Sequence, residues 1–402
     1  MKITNFKGIN NRKPIDRLGA TEGGAAFVRD AVNVDLSEVG TFQRRAGQER
    51  VIEAENCRSM FETPAGFFYA AGLDLMYFNG SSIKVGDVGS PLADVAYTDT
   101  PLGVVWSDGF TLNLIVAGGS RAMLPAAPNP LPVATPGAGG TLRAGGYGIS
   151  FATVLADGRR SELSYPQNVV VADGGSIVIS AAGHTQPIAV FVTTCDGSIL
   201  YREADIAVGQ TSAVIPLVRA DREPISYEVM APLPPGNILA FHKGRLLSAR
   251  DNFLSYSRAF DLGVHRPAYD FIPFPAPITL VAPVEAGVFV ATEAKTYFLP
   301  GSDVAQSSLL DRQPFGAVPG TLTRERNVKG AMWFTRRGAM RVSDDGGMTL
   351  LQDKDIAFSP AQTGAAMVRE ENGLRTLVTA LATNGQPASA VFGSYIDAEV
   401  IN

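Results

Sequence analysis

Short apolar runs separated by glycine, proline, asparagine or aspartate recur along the whole chain. None keeps apolar residues at helical spacing long enough to build a stable helix, whereas many alternate or cluster over strand-like lengths. Runs of this kind bounded by turn residues are typical of β-strands. The pattern therefore predicts an all-β protein.

The strands group into repeated units. One contains Asn79-Gly80, a dipeptide that strongly favours tight hairpin turns, and another turns at Ser107-Asp108-Gly109. Three further copies of the unit occur later in the chain. One turns at His242-Lys243-Gly244, one begins at Gly287, and one ends at the turn Asp344-Asp345-Gly346. Spacings of roughly 40 to 50 residues match the blade period of β-propellers. We therefore predict a β-propeller; an irregular stack of antiparallel sheets would leave a similar pattern.

A segment of different character separates the two halves. It follows the proline-rich residues 125–132 and the glycine run Gly137-Ala138-Gly139-Gly140, which we interpret as a linker. From Thr141 the strands lengthen, and predicted strands such as 146–154 and 160–164 follow one another at sandwich spacing. We predict an inserted fibronectin-III/Ig-like β-sandwich at 141–220. Residues 1–140 would hold an N-terminal segment and the first blades, and residues 221–402 the remaining blades.

Charge and cysteine content limit the possible partners and compartment. The net charge of −5 provides no positive field that would attract nucleic acid, although DNA could still pass through a neutral or acidic channel. Cys57 and Cys195 lie far apart and predict free thiols. The start lacks the apolar run of a signal peptide, and no stretch reaches the ~20 apolar residues of a membrane span. We expect synthesis in a cytoplasm.

Catalytic motifs do not stand out. His184, His242 and His265 lack the neighbours of a zinc site, and no G-x-S-x-G elbow occurs. The acidic turns Asp344-Asp345-Gly346 and Asp353-Lys354-Asp355 could ligate calcium or pair as glycosidase carboxylates, but turn chemistry is sufficient to explain them. We expect no enzymatic activity, no cofactor and no metal.

Three stretches carry a resemblance to a known family: Phe6-Lys7-Gly8-Ile9-Asn10 with Ala31-Val32-Asn33-Val34-Asp35 and Gly40-Thr41-Phe42-Gln43-Arg44-Arg45-Ala46-Gly47; Gly244-Arg245-Leu246-Leu247-Ser248-Ala249 with Leu254-Ser255-Tyr256-Ser257; and Tyr147 to Glu162. The first resembles the "F-x-G-(I/L)-N … A-x-N-v-d … G-x-l-x-x-R-x-G" start of the tail nozzle, tubular or stabilisation proteins of short-tailed phages. The other two are similar to a blade and to a sandwich strand of that family.

The resemblance implies a structural protein of a phage virion tail. Such a protein would form a homo-oligomeric ring, by resemblance a hexamer, around the channel through which viral DNA passes. It would dock the connector or adaptor and other tail proteins, after synthesis in the bacterial host cytoplasm. The chain is shorter than typical nozzle proteins, so a hub position remains an alternative. A receptor- or carbohydrate-binding propeller and a glycoside hydrolase are the competing functions.

Candidate assembly residues come from the opening motif: Phe6, Gly8, Asn10, Asn33, Asp35, Gly40, Arg44 and Arg45. Asn33, Asp35 and Gly40 predict a hairpin. The Arg44-Arg45 pair at its foot could donate hydrogen bonds to carboxylates or carbonyls of the last blade or of a neighbouring subunit. A solvated basic pair at a strand end is the alternative.

Overall fold

The computed structural model describes residues 6–19, 26–29, 34–36, 42–44, 50–116, 119–155, 158–222, 224–226, 231–325, 328–351, 361–371, 374–382 and 397–400. Over these ranges the chain is all-β and consists of many small, mostly antiparallel sheets. Its helical turns there are two short 3-10 turns, Ile15–Arg17 and Val304–Gln306. None of the described helices has the length and hydropathy needed to cross a membrane.

The N-terminal strands form two separate pairs. Strand β1 (Phe6–Ile9) lies parallel to β2 (Ala26–Val28), and β3 (Val34–Leu36) lies antiparallel to β4 (Phe42–Arg44). The second pair is a hairpin at the place where the sequence predicts one.

Two four-stranded antiparallel meanders follow. Sheet 1 consists of β5 (Cys57–Thr63), β6 (Gly66–Ala71), β7 (Asp74–Phe78) and β8 (Ser82–Asp87). Sheet 2 consists of β9 (Ala96–Thr100), β10 (Gly103–Ser107), β11 (Leu112–Val116) and β12 (Gly119–Ala122). In both sheets the strands pair in chain order, as the hairpin signals at Asn79-Gly80 and Ser107-Asp108-Gly109 predict.

The next segment, called the insert and spanning 133–226, forms two sheets. They contain β13 (Val133–Leu142), β14 (Gly145–Thr153), β15 (Gln167–Val171), β16 (Gly175–Ser180), β17 (Ile188–Thr193), β18 (Ile199–Ile206), β19 (Ser212–Ile215) and β20 (Pro224–Ser226). One sheet has the order β13-β16-β19 and the other β15-β14-β17-β18-β20. One apolar cluster draws residues from both sheets, among them Ile149 and Ile177.

One strand pair and four further sheets follow among the described residues. Strand β21 (Ala231–Pro232) pairs with β25 (Val264–His265) beside sheet 3, which contains β22 (Ile238–His242), β23 (Arg245–Arg250), β24 (Phe253–Tyr256) and β26 (Phe271–Pro273). Sheet 4 contains β27 (Ile278–Val284), β28 (Gly287–Thr292), β29 (Thr296–Pro300) and β30 (Leu310–Gln313). Sheet 5 contains β31 (Ala331–Thr335), β32 (Gly338–Val342) and β33 (Met348–Leu350), and sheet 6 contains β34 (Thr363–Glu371), β35 (Leu374–Ala382) and β36 (Asp397–Val400).

Consecutive sheets share apolar clusters, so sheets 1 to 6 stack in chain order. The residues that join neighbouring sheets are Leu75 with Trp106, Leu114 with Leu239, Leu254 with Val288, Phe289 with Trp333, and Phe334 with Leu377. Sheets 2 and 3 pack directly on each other although the insert separates them in sequence. The chain therefore leaves the stack after sheet 2, forms the insert, and returns to the stack at sheet 3.

Strands in the middle of the stack are buried on both faces. In β28, Val288 and Val290 contact the sheet 3 side, whereas Phe289 and Ala291 contact the sheet 5 side. Because successive side chains of a strand point to opposite faces, such a strand reads as a continuous apolar run. This explains why Gly287–Thr292 does not alternate between apolar and polar residues, as a strand with one solvent-exposed face would.

Two details of the insert differ from the sequence prediction. The glycine run 137–140, interpreted as a linker, lies inside β13, where a Cβ at Gly137 would come within 2.6 Å of the Val178 side chain on β16. Glycine is therefore needed for close approach of two strands rather than for flexibility. Residues 160–164, expected to be a strand, form a single bridge at Arg160 and otherwise follow the edge of β14.

The insert is fastened to the stack by two adjacent arginines. Arg159 Nη1 donates to the carbonyl oxygens of Ala122 (3.2 Å) and Met123 (3.0 Å), at the end of sheet 2. Arg160 Nη2 lies 3.4 Å from Asp261 Oδ2 of sheet 3's long β24–β26 connection. The insert is therefore held against both sheets that flank it in sequence.

Candidate interaction surface

The N-terminal candidate residues are only partly described. Asn33, Gly40 and Arg45 lie outside the described residues. Phe6 and Gly8 lie on β1 and Asp35 on β3, where it is paired with Gln43, and Arg44 is exposed on β4. The structure thus places the candidates on two separate strand pairs, and their assembly role stays a prediction.

Asn10 is the best defined of these candidates. It is fully buried, and its Oδ1 accepts hydrogen bonds from the backbone N–H groups of Arg12 (3.2 Å) and Lys13 (3.0 Å). An asparagine in this position stabilises a turn by replacing a backbone acceptor. Its side-chain oxygen thus organises its own turn, while its N–H donates to the carbonyl oxygen of Val28 on β2 (2.8 Å).

A cluster of exposed apolar side chains lies at one end of sheets 1 and 2. Leu73 in the β6–β7 turn is 52% exposed, Leu92 in the β8–β9 connection 85%, and Phe110 in the β10–β11 turn 68%. We call these three residues the apolar loop surface. Exposed apolar side chains that are grouped rather than scattered mark interaction sites.

Hydrogen bonds bring the three loops together. Val88 donates from its N–H to the carbonyl oxygen of Leu73 (2.8 Å), and Gly89 donates to Asp108 Oδ2 (2.8 Å). A Cβ at Gly89 would lie 3.7 Å from the Phe110 ring, so the β8–β9 connection runs directly beside the β10–β11 turn. The three loops that carry the apolar loop surface are therefore adjacent at this end of sheets 1 and 2.

Arg58 of β5 supports the surface from sheet 1. Its Nε donates to the carbonyl oxygen of Ala93 (2.7 Å), and its Nη2 donates to those of Gly72 (2.9 Å) and Ser90 (3.0 Å). The planar guanidinium suits several carbonyls at once. One side chain thereby fixes two of the three loops.

Asp108 of the β10–β11 turn supports the surface from sheet 2. Only 3% of this residue is exposed, and its Oδ1 accepts from the N–H groups of Phe110 (2.9 Å) and Thr111 (2.8 Å). Burial alone would raise the pKa of this carboxyl, but the hydrogen bonds from Gly89, Thr111 and Phe110 outweigh it and hold the pKa below its ordinary value. The turn is thus organised around a buried carboxylate.

Ion pairs elsewhere join neighbouring sheets. Arg245 of sheet 3 contacts both carboxylate oxygens of Asp303 in sheet 4, at 2.7 and 3.1 Å. The buried Glu325, just before sheet 5, lies 3.4 Å from Arg341 and 3.2 Å from Arg375 of sheet 6. Since every one of these groups has a protein partner, we assign them to stacking rather than to a site.

The histidines contact backbone carbonyls. His184 Nδ1 lies 2.6 Å from Ala181 O, His242 Nε2 3.3 Å from Gly301 O, and His265 Nδ1 3.2 Å from Ala231 O. Within the described ranges, no group of three His, Cys, Asp or Glu side chains is arranged to hold a metal ion. Cys57 and Cys195 are free thiols.

The acidic turn at sheet 5 forms hydrogen bonds within itself and with the β27–β28 turn of sheet 4. Asp344 Oδ1 accepts from the N–H of Glu285 (3.3 Å), and Asp345 Oδ1 accepts from Gly347 N–H (3.0 Å) and from the Ser343 hydroxyl. Residues 353–355, the other acidic candidate, lie outside the described residues.

A shallow depression in the insert has a volume of about 320 Å³ and is lined by charged residues. Its charges pair with each other: Arg202 lies 2.8 Å from Asp205, and Arg222 lies 3.6 Å from Glu203. This internal pairing makes the depression a weaker candidate than the apolar loop surface.

Comparison with known proteins gives no family. No protein-family model and no curated protein matches the chain. Among solved structures, BBS1N in complex with ARL6DN is 10% identical with a TM-score of 0.31, covering 82% of this chain and 89% of that one. KlHsv2 is 8% identical with a TM-score of 0.28, covering 84% and 94%. Sqt1 of Saccharomyces cerevisiae is 9% identical with a TM-score of 0.19, covering 73% and 98%. Likenesses this weak carry no argument about activity or partners.

Proposed function

We propose that this chain is a non-catalytic structural protein that assembles through its loops with other protein chains. The observation that carries the proposal is the apolar loop surface. Leu73, Leu92 and Phe110 are held out to solvent by loops that the polar groups of Arg58 and Asp108 fix in place. Rigid display of apolar side chains lowers the entropy lost on binding and suits a protein partner.

The fold that we propose for this function is a β-propeller with a fibronectin-III-like β-sandwich inserted in it. Repeated antiparallel meanders that pack face to face in chain order are the building unit of propellers. The insert supports the sandwich because its two sheets share one core. Stacking the sheets would protect their faces, while the turns at their ends remain available for binding.

The biological setting that we propose is a phage virion tail. This rests on the sequence resemblance to nozzle, tubular and stabilisation proteins. Copies of the chain would form a ring around a channel for DNA and dock a connector, adaptor or other tail protein. The negative net charge of −5 suits a passage that DNA must not adhere to.

A receptor- or carbohydrate-binding propeller is the second candidate. Tyr269, 71% exposed, has the Arg266 guanidinium 5.6 Å from its ring centroid, and exposed aromatic rings of this kind can stack on sugars or peptides. If this candidate is right, the purified chain binds glycans or a receptor as a monomer, and a Tyr269→Ala variant loses that binding.

Light scattering coupled to size-exclusion chromatography tests the proposal. We expect the wild-type chain to self-associate and a Leu92→Asp/Phe110→Asp double variant to be monomeric, with unchanged circular dichroism. Tyr165→Asp is the matched control, because Tyr165 is an 81% exposed aromatic that belongs to the insert and not to the three loops. A wild-type chain that stays monomeric and binds no tail protein contradicts the proposal.

A further inference from the structure

The loop between β7 and β8 contains an asparagine that is followed directly by a glycine. Phe78 at the end of β7 is paired with Ser82 at the start of β8, so the loop consists of Asn79, Gly80 and Ser81. All three loop residues are exposed to solvent. The Asn-Gly pair that forms this hairpin turn is therefore in contact with water.

The backbone nitrogen of Gly80 is accessible. Gly80 has a φ of +77°, and a Cβ built on it would have no atom within 4 Å. Within the described ranges the N–H of Gly80 has no hydrogen-bond partner, whereas the N–H of Asn79 donates to Ser81 O (3.2 Å). Because glycine has no side chain, nothing on Gly80 itself shields this nitrogen.

The side-chain amide of Asn79 also has no hydrogen-bond partner in the part of the chain that the structure describes. Two other asparagines differ in this respect. Asn113 Nδ2 donates to Thr111 Oγ1 (2.8 Å), and Asn252 Nδ2 donates to Phe274 O (3.0 Å). Each of these two is also followed by a bulky apolar residue. The Asn79 amide is therefore less restrained than either of them.

We propose that Asn79 is a site of spontaneous deamidation in the folded chain. The Gly80 nitrogen attacks Cγ of the Asn79 side chain, so that an N–Cγ bond forms and the Cγ–Nδ2 bond breaks. The proton of the Gly80 N–H is transferred to the leaving nitrogen, which departs as ammonia. A succinimide ring that joins the two residues remains.

Water then opens the succinimide. Addition of water at Cγ breaks the new bond and gives an aspartate at position 79. Addition at the main-chain carbonyl carbon breaks the original peptide bond and gives isoaspartate, in which the backbone continues through the side chain. In both cases water supplies the oxygen of the new carboxylate and returns a proton to the Gly80 nitrogen, so no oxidant or reductant is needed.

Both products change the end of sheet 1 at which this loop lies. Either one adds a negative charge, and isoaspartate also lengthens the main chain between the paired residues Phe78 and Ser82. The Ser82 hydroxyl accepts a hydrogen bond from the Tyr69 hydroxyl (2.8 Å), and the Phe78 and Phe67 ring centroids are 5.2 Å apart. We expect isoaspartate to loosen these contacts.

Peptide mapping of the full chain tests the proposal. The tryptic fragment 59–84 contains Asn79 as its only asparagine, so the Asn-Gly pairs at 372–373 and 384–385 do not interfere. After incubation of the native chain at mildly alkaline pH, this fragment should gain the mass of one amide-to-acid conversion. It should also separate into two products of equal mass, aspartate and isoaspartate.

Two sets of controls accompany this measurement. The fragments that contain Asn113 and Asn252 should convert at least about tenfold more slowly than fragment 59–84, because their amides are held away from the next backbone nitrogen. In Asn79→Gln the longer side chain would have to close a larger ring, so conversion should again fall at least about tenfold. In urea the unfolded chain should convert within about tenfold of the native rate, since the exposed loop needs no unfolding to react.

Three results overturn the proposal. One is a native fragment 59–84 that keeps its mass, and another is conversion of Asn79 no faster than that of Asn113 and Asn252. The third is aspartate without isoaspartate, since direct hydrolysis of the amide would give that product alone. The assembly of copies is measured separately by light scattering, so none of these results affects the proposed function.

Discussion

The backbone N–H of Gly89, in the connection between sheets 1 and 2, donates a 2.8 Å hydrogen bond to the carboxylate of Asp108. The two residues belong to different loops, and the bond couples the geometry of Leu92 to that of Phe110. A buried carboxylate with several N–H donors is strongly held, since each such bond is charge-assisted. Asp108 thus couples the β8–β9 connection to the β10–β11 turn, as Arg58 couples that connection to the β6–β7 turn.

Asp108→Asn is expected to destabilise the chain by about 1–3 kcal/mol, because the amide cannot accept all the hydrogen bonds that the carboxylate accepts. The free energy of unfolding from urea titration provides the measurement. Asp94→Asn, a change at an exposed carboxylate of the neighbouring loop, should alter it by less than about 0.5 kcal/mol. Equal effects of the two substitutions would show that Asp108 is not a special support.

Arg58→Lys should loosen the β8–β9 connection without unfolding the sheets. A single ammonium group cannot reproduce the guanidinium's bonds to Ala93, Gly72 and Ser90. Hydrogen–deuterium exchange should therefore rise at the amides of Val88 and Ala93, which donate within this region. Arg50→Lys, at an exposed arginine outside the strands, serves as the control. Unchanged protection in Arg58→Lys would remove the basis for a rigid surface.

Glu325→Gln tests the junction of sheets 5 and 6. The glutamate is buried between Arg341 and Arg375, so neutralising it removes the carboxylate that these two cations share and leaves Arg375 with the exposed Glu370. Because both arginines are partly exposed, we expect a moderate loss of about 1–3 kcal/mol in the free energy of unfolding. Glu370→Gln, at an exposed carboxylate that also faces Arg375, should cost less than about 0.5 kcal/mol. A loss in Glu325→Gln no larger than this control would contradict the assignment.

Two buried histidines predict a dependence of stability on pH. Burial lowers the pKa of His242 and of His265 below the ordinary value near 6.5. The unfolded chain therefore binds more protons than the folded chain as pH falls through about 6.5, and stability decreases on acidification in that window. A His242→Gln/His265→Gln variant should show a flatter slope between about pH 7 and 5 than wild type. Parallel slopes would mean that neither histidine is coupled to folding.

The sequence predicted the strands well because their signals are local. The hairpin at Asn79-Gly80, the turn at Ser107-Asp108-Gly109 and the continuous apolar strand Gly287–Thr292 follow from turn chemistry and side-chain alternation. The glycine run 137–140 misled the prediction, since glycine serves a flexible linker and a close strand contact equally well. Only the close contact of this run with the neighbouring strand β16 shows which of these two roles the glycines have.

The candidate interaction surface could not be predicted in the same way. Leu73, Leu92 and Phe110 are ordinary apolar residues in separate loops, and their proximity follows from the stacking of sheets 1 and 2. The sequence identifies Asp108 as a turn residue, but its hydrogen bond to Gly89 joins two different loops and cannot be predicted from turn chemistry.

Electron microscopy of the purified chain tests most directly whether its copies assemble into a closed ring. We predict ring-shaped particles with a central opening for wild type and single, ring-free particles for Leu92→Asp/Phe110→Asp. Wild-type particles that remain single propeller-sized units at every concentration would contradict the claim.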